Sequence, residues 1–120
     1  MNYDEIVERF RFPRHKGVLE GGLSAIASNS PCGDKISVHL KIENGKVVDA
    51  MYSGTGCVLS NASAEVLCEH IVGMKVDELY NITYDNLVAF LGFLPSPSRA
   101  GCVETPLNAL RNILIHKRNV

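Results

Sequence analysis

Apolar and polar residues alternate through Ile36, Val38, Leu40 and Ile42, with Ser37, His39 and Lys41 between them, which is the period of a strand with one buried face. Asn44-Gly45 follows, a pair that tolerates the backbone angles of a two-residue hairpin turn. Residues 47–53 then read as the returning strand, with Val48, Ala50 and Tyr52 expected on one face. Upstream, residues 23–28 form a short, weakly patterned segment suited to an edge strand, and residues 17–22 a flexible connection. Antiparallel pairing of the hairpin brings the segment before its first strand and the segment after its second to the same end.

Helical spacing flanks this hairpin. Tyr3, Ile6, Val7 and Phe10 fall on one face of a helix over residues 2–10, which has Asp4 and Glu5 in its first turn and is stopped by Pro13. Ser60 or Asn61 is placed to cap a second helix running to about Val72, where Gly73 ends it. Residues 76–80 and 84–91 are shorter helical candidates. Pro95 and Pro97 make residues 94–101 a loop, after which Thr105 and Pro106 are expected to open a final helix with Leu107, Leu110 and Leu114 on its apolar face. These elements predict an α+β fold, a small antiparallel three-stranded sheet with helices packed on one face.

Composition narrows the picture without changing it. At 120 residues and 46% hydrophobic content, residues 1–120 are expected to form a single domain. The formal net charge of −1 provides no basic stripe for a phosphate backbone, so nucleic acid is not an expected partner. No apolar run approaches the roughly 20 residues that span a bilayer, and the start does not read as a signal peptide, so a cytoplasmic protein without membrane contact is expected. There is no Ser-His-Asp pattern, phosphate loop or repeat, which disfavours a hydrolase or a nucleotide enzyme.

The candidate chemistry lies in the cysteines. In a cytosol, four of them are expected as reduced thiols rather than disulfides. Cys32-Gly33-Asp34 enters the first hairpin strand, Gly56-Cys57 leaves the second, and Gly101-Cys102 precedes the final helix. Thiolates are soft ligands for zinc or iron, and neighbouring glycines leave room for a bulky ligand. Cys57 and Cys102 are each expected just ahead of a helix amino terminus, where backbone donors and the helix dipole favour thiolate. Cys68 would lie ~16 Å beyond Cys57 along a helix and reads as a small core hydrophobe. His39, His70 and His116 have no ligand-like spacing. Lys35 and Arg99 could steady a thiolate electrostatically, although exposed cations are commoner. Arg11, Arg14, His15 and Lys16 make a small basic patch, read either as solvated surface or as a docking site.

Across nearly its whole length the chain resembles the U-type iron-sulfur cluster assembly scaffold family, which includes IscU, the NifU amino-terminal domain and SufU. The resemblance rests on residues 3–17 with Pro13-Arg14, on Pro31-Cys32-Gly33-Asp34, on Gly56-Cys57 and its small-residue run, and on Cys102. It implies a scaffold rather than a turnover enzyme. Such a scaffold accepts sulfur from a cysteine desulfurase, binds iron and a nascent cluster, and passes the cluster to recipient apoproteins. Cys32, Asp34, Cys57 and Cys102 become the metal and cluster ligands, with Cys102 and Cys32 the sulfur acceptors. The cargo implied is a [2Fe-2S] cluster before a [4Fe-4S] one, with zinc as the alternative occupant.

Two departures mark the match. The family's histidine before the third cysteine is replaced by Gly101, as SufU proteins also lack it, yet the SufU insertion between the second and third cysteines is absent by pattern. The family's Leu-Pro-Pro-Val-Lys run reads Leu94-Pro95-Ser96-Pro97-Ser98-Arg99, which argues against a dedicated Hsp70-type chaperone. A SufU-like zinc-dependent sulfurtransferase and a purely structural zinc or thiol domain therefore stand beside the scaffold reading, and a homodimer could supply a ligand in trans.

Overall fold

The structure, a computed structural model, describes residues 3–29 and 33–118. The elements run α1 (Tyr3–Arg11), β1 (Leu23–Asn29), β2 (Asp34–Glu43), β3 (Lys46–Thr55), α2 (Val58–Ile71), α3 (Val76–Leu79), α4 (Tyr84–Leu91) and α5 (Ala100–Arg118). The strands form one antiparallel sheet in the order β1-β2-β3. The α+β architecture expected from the alternation is the one observed.

Ile36, Val38 and Leu40 form a fully buried row on β2, flanked by Ala50 and Tyr52 of β3 and backed by Ala25 and Ala27 of β1. Helices α2 and α5 cover this face, α2 lying on β2 and β3 and α5 on β1 and β2. Helix α2 is buried nearly all round from Ser60 to Cys68, because α1, α4 and α5 also pack against it. Its Ala62, Ser63 and Ala64 are small enough to permit that close approach. Near the other end of α2, the His70 ring stacks on Phe90 of α4 with centroids 3.9 Å apart.

The hairpin turns at Asn44 and Gly45, both with positive φ (54° and 75°). On the return strand Val47 is buried and Val48 is 42% exposed, the reverse of the expected face. The register explains it: Lys41 pairs with Asp49 but Ile42 pairs with Val47, so Val48 is the extra residue of a bulge and the alternation slips by one.

Residues 15–17 are hydrogen-bonded to β3, so the connection expected over residues 17–22 is tied down at its first residue. The Gly17 amide donates to the Tyr52 carbonyl at 2.7 Å and the Tyr52 amide to the His15 carbonyl at 2.7 Å. Glu65 of α2 secures the same segment, accepting from the Arg14 and His15 amides at 3.1 and 2.9 Å. Arg9 of α1 reaches Glu69 with two contacts of 3.0 and 3.3 Å; as a partly exposed pair it contributes about 0.2–1 kcal/mol. Ile6 is buried as expected, whereas Phe10 remains 40% exposed.

Candidate metal centre

The core-facing row of β2 continues two residues beyond Ile36 to Asp34, because side chains on a strand return to the same face at every second position. This places a carboxylate, 1% exposed, at the tip of the sheet. Its Oδ1 accepts the Cys57 amide at 3.0 Å, which fixes the junction between β3 and α2 against the start of β2. Its Oδ2 is buried without a hydrogen-bond partner.

Cys57 is itself the N-cap of α2, so neither Ser60 nor Asn61 caps it as expected. The Cys57 Sγ accepts the Ser60 amide at 3.4 Å and lies 3.7 Å from the Ser60 hydroxyl. Asn61 instead donates to the Gly56 and Cys57 carbonyls, at 3.0 Å each, and locks the turn. Burial is the largest single influence on the Cys57 thiol and opposes ionisation. The Ser60 amide and hydroxyl and the Cys102 side chain together outweigh it, against a smaller opposing push from Asp34, and hold the pKa below the ordinary thiol value.

In metal-free protein carrying Cys32→Ser, Ser60→Ala is expected to move the pH midpoint of Cys57 alkylation upward. The Ser60 hydroxyl donates to the Cys57 carbonyl at 3.0 Å while the sulfur is protonated and can turn to the sulfur once it ionises, so its loss removes a contact that favours the thiolate. A midpoint that stays put or falls would show that the hydroxyl does not support the ionised sulfur.

Cys102 lies inside the first turn of α5 rather than before it, because the helix starts at Ala100. The turn is closed by the Cys102 amide donating to the Arg99 carbonyl at 3.0 Å, and the Thr105 hydroxyl donates to the Gly101 carbonyl at 2.7 Å. Pro106, expected to begin the helix, is instead within it. Having no N–H, it cannot supply the helical bond to the Cys102 carbonyl four residues earlier. Cys102 remains close enough to the amino terminus of α5 for the helix dipole to act on its sulfur.

Asp34, Cys57 and Cys102 each bring a donor atom to one place, all within 4.8 Å of one another. Two sulfurs and one orphaned, buried carboxylate oxygen fit a zinc or iron ion, since a bound cation would satisfy the lone pairs that Oδ2 leaves unused. Cys32, the third expected cysteine, lies outside the described residues. Cys68 does not join the cluster: it is fully buried in the core, and burial, then Glu65, Asp49 and Glu69, push its thiol well above the ordinary range. His39 is also apart, buried with its Nε2 2.9 Å from the Ser53 hydroxyl. Lys35 and Arg99 are exposed.

One neighbour of the site was not singled out in the sequence. Asn29, the last residue of β1, pairs in register with Asp34, and its Nδ2 lies 4.0 Å from the Cys102 sulfur. An asparagine followed by Ser30 and Pro31 reads first as a turn residue. The available signal was its place in the inward row Ala25, Ala27, Asn29.

Residues 1–114 match the NifU-like N terminal domain family, and the chain belongs to it. The iron-sulfur cluster assembly scaffold protein IscU of Thermotoga maritima is 46% identical over 54 residues, covering 45% of this chain and 38% of that protein. The zinc-dependent sulfurtransferase SufU of Bacillus subtilis is 35% identical over 122 residues, covering 88% of this chain and 83% of that protein. In fold, the chain is similar to the crystal structure of FiSufU from Fervidobacterium islandicum AW-1, with a TM-score of 0.77 at 21% identity, covering 92% of this chain and 94% of that one. Among the described residues, no helix is long and apolar enough to cross a membrane.

Proposed function

We propose that this protein is a scaffold on which an iron-sulfur cluster is built, held by Cys32, Asp34, Cys57 and Cys102, and then passed to recipient apoproteins. The observation that carries the reading is the convergence of Asp34, Cys57 and Cys102 within 4.8 Å, together with a buried Asp34 carboxylate that keeps one oxygen without a hydrogen-bond partner. Membership of the family and the similarity to a scaffold from Thermotoga maritima support it. The whole of residues 1–120 serves as one such domain. The cluster is cargo rather than a resident cofactor, and the four residues match the four ligands that a [2Fe-2S] or a [4Fe-4S] cluster takes, the resemblance to the family favouring the former.

Sulfur arrives from a cysteine desulfurase. A thiolate of the scaffold, Cys102 or Cys32, attacks the outer sulfur of the desulfurase persulfide. The sulfur–sulfur bond breaks, the desulfurase cysteine leaves as thiolate, and the sulfane sulfur stays on the scaffold. Cys102 is fully buried, so its attack calls for a local opening of the tip that exposes its sulfur.

Anaerobic reconstitution with iron, cysteine, a desulfurase and an added thiol reductant, which supplies the two electrons that convert the sulfane sulfur to sulfide, followed by iron and sulfide analysis, tests the reading. Wild type should acquire both elements in equal amounts, and Cys57→Ser or Cys102→Ser should lose most of each. A chain that folds but acquires neither would overturn it.

A second reading has its own support. Gly101 offers no donor, and the similarity to the Bacillus subtilis zinc-dependent sulfurtransferase extends over 88% of this chain. In that case zinc would occupy the same residues, holding the thiolates until sulfur is transferred. Stimulation of a desulfurase by the zinc-loaded protein, without cluster formation on adding iron, decides for it.

A further inference from the structure

Gly101 precedes Cys102 in the first turn of α5, and the space its missing side chain leaves is filled. A Cβ built there would lie 2.9 Å from Asn29 Nδ2 and 3.3 Å from both Asn29 Cγ and Oδ1. The same carboxamide stands 4.0 Å from the Cys102 sulfur, and Asn29 sits directly across the sheet from Asp34. One half-buried side chain thus occupies the gap beside position 101 and touches the sulfur of the next residue. A thiolate can only accept hydrogen bonds, so the carboxamide must present its N–H₂ group to it.

We propose that Asn29 is a positioning residue for the metal centre. Its carboxamide N–H is donated to the Cys102 thiolate, and glycine at position 101 is the condition that admits it. The two positions act as one steric unit: side-chain volume absent from α5 is supplied by β1. The donor withdraws charge from the sulfur and fixes its direction toward Asp34 and Cys57, as outer hydrogen bonds do for metal-ligating groups. The inference rests on the metal-site reading proposed above and adds a residue to it.

Cobalt(II) titration of the full reduced chain under anaerobic conditions tests it, read by the sulfur-to-cobalt charge-transfer band. Asn29→Ala is expected to weaken cobalt binding by about 10–100-fold and to move the band to lower energy, because a sulfur without its donor is more electron-rich. Gly101→Ala should produce the same two changes by displacing the carboxamide. Alanine is the better helix former, so failure to fold α5 is not the expected cause. The double variant should be no worse than either single one, since both remove the same contact.

Circular dichroism establishes that each variant is folded. If Asn29→Ala does not fold, Gly101→Ala is read alone, and an unchanged affinity and band there overturn the proposal. Full affinity with an unmoved band in folded Asn29→Ala overturns it too, as does additivity in the double variant. A change in cobalt coordination number in Asn29→Ala would make Asn29 a ligand and likewise overturn its positioning role. Absence of any thiolate band in the wild type sinks the metal-site reading itself, which separates that failure from this one.

Discussion

Gly54→Ala is expected to lower the stability of the metal-free protein by about 3 kcal/mol or more, seen as a large fall in the denaturant midpoint. Gly54 has φ of 119°, and a Cβ there would collide with the Lys35 carbonyl oxygen and lie 3.0 Å from its carbon. The obstacle is backbone in the pairing of β2 with β3, so no side-chain rotation relieves it. Gly21→Ala is the comparison: φ is 75° and nothing lies within 4 Å, so only local strain of ~1 kcal/mol is expected. Equal midpoints for the two variants would show that the close approach at Gly54 does not constrain the sheet. Because Gly54 lies three residues before Cys57, the same substitution should also abolish metal loading well below the unfolding midpoint of the wild type.

Asp34→Ala is expected to have opposite effects on the fold and on its cargo. In the empty protein it removes the acceptor of the Cys57 amide, which costs about 1–3 kcal/mol if that donor stays buried. On the scaffold reading, it also removes the hard, weakly held oxygen ligand from a set otherwise made of soft sulfurs, so a reconstituted cluster should decay several-fold more slowly. The anaerobic decay of cluster absorbance in the presence of a chelator measures this, with unfolding of the empty protein followed separately. A cluster that decays as fast as, or faster than, in the wild type would remove Asp34 from its assigned role.

The alternation from Ile36 to Ile42 made the hairpin legible, since a period of two with one buried face has no helical counterpart. That hairpin in turn explains why Asp34 and Cys57 meet. Other features were hidden because they depend on pairing rather than on local composition. The inversion of Val47 and Val48 comes from a register slip opposite Lys41 and Ile42, which no window of β3 alone encodes. Cys57 was expected ahead of a cap and proved to be the cap, because its sulfur takes the place of the usual oxygen. Pro106 was read as a helix start, but Thr105 and the turn at Arg99 allow α5 to begin at Ala100. Asn29 was missed because its partner is an empty position, and an absent side chain leaves no mark in a motif.

The three donors come from residues 34, 57 and 102, which belong to the first strand of the hairpin, the entry of the central helix and the opening turn of the last one. An occupant that binds all three is a clasp between the two halves of the polypeptide. On the scaffold reading, filling and emptying the tip would alter how firmly the carboxyl-terminal helix is tethered to the rest of the molecule.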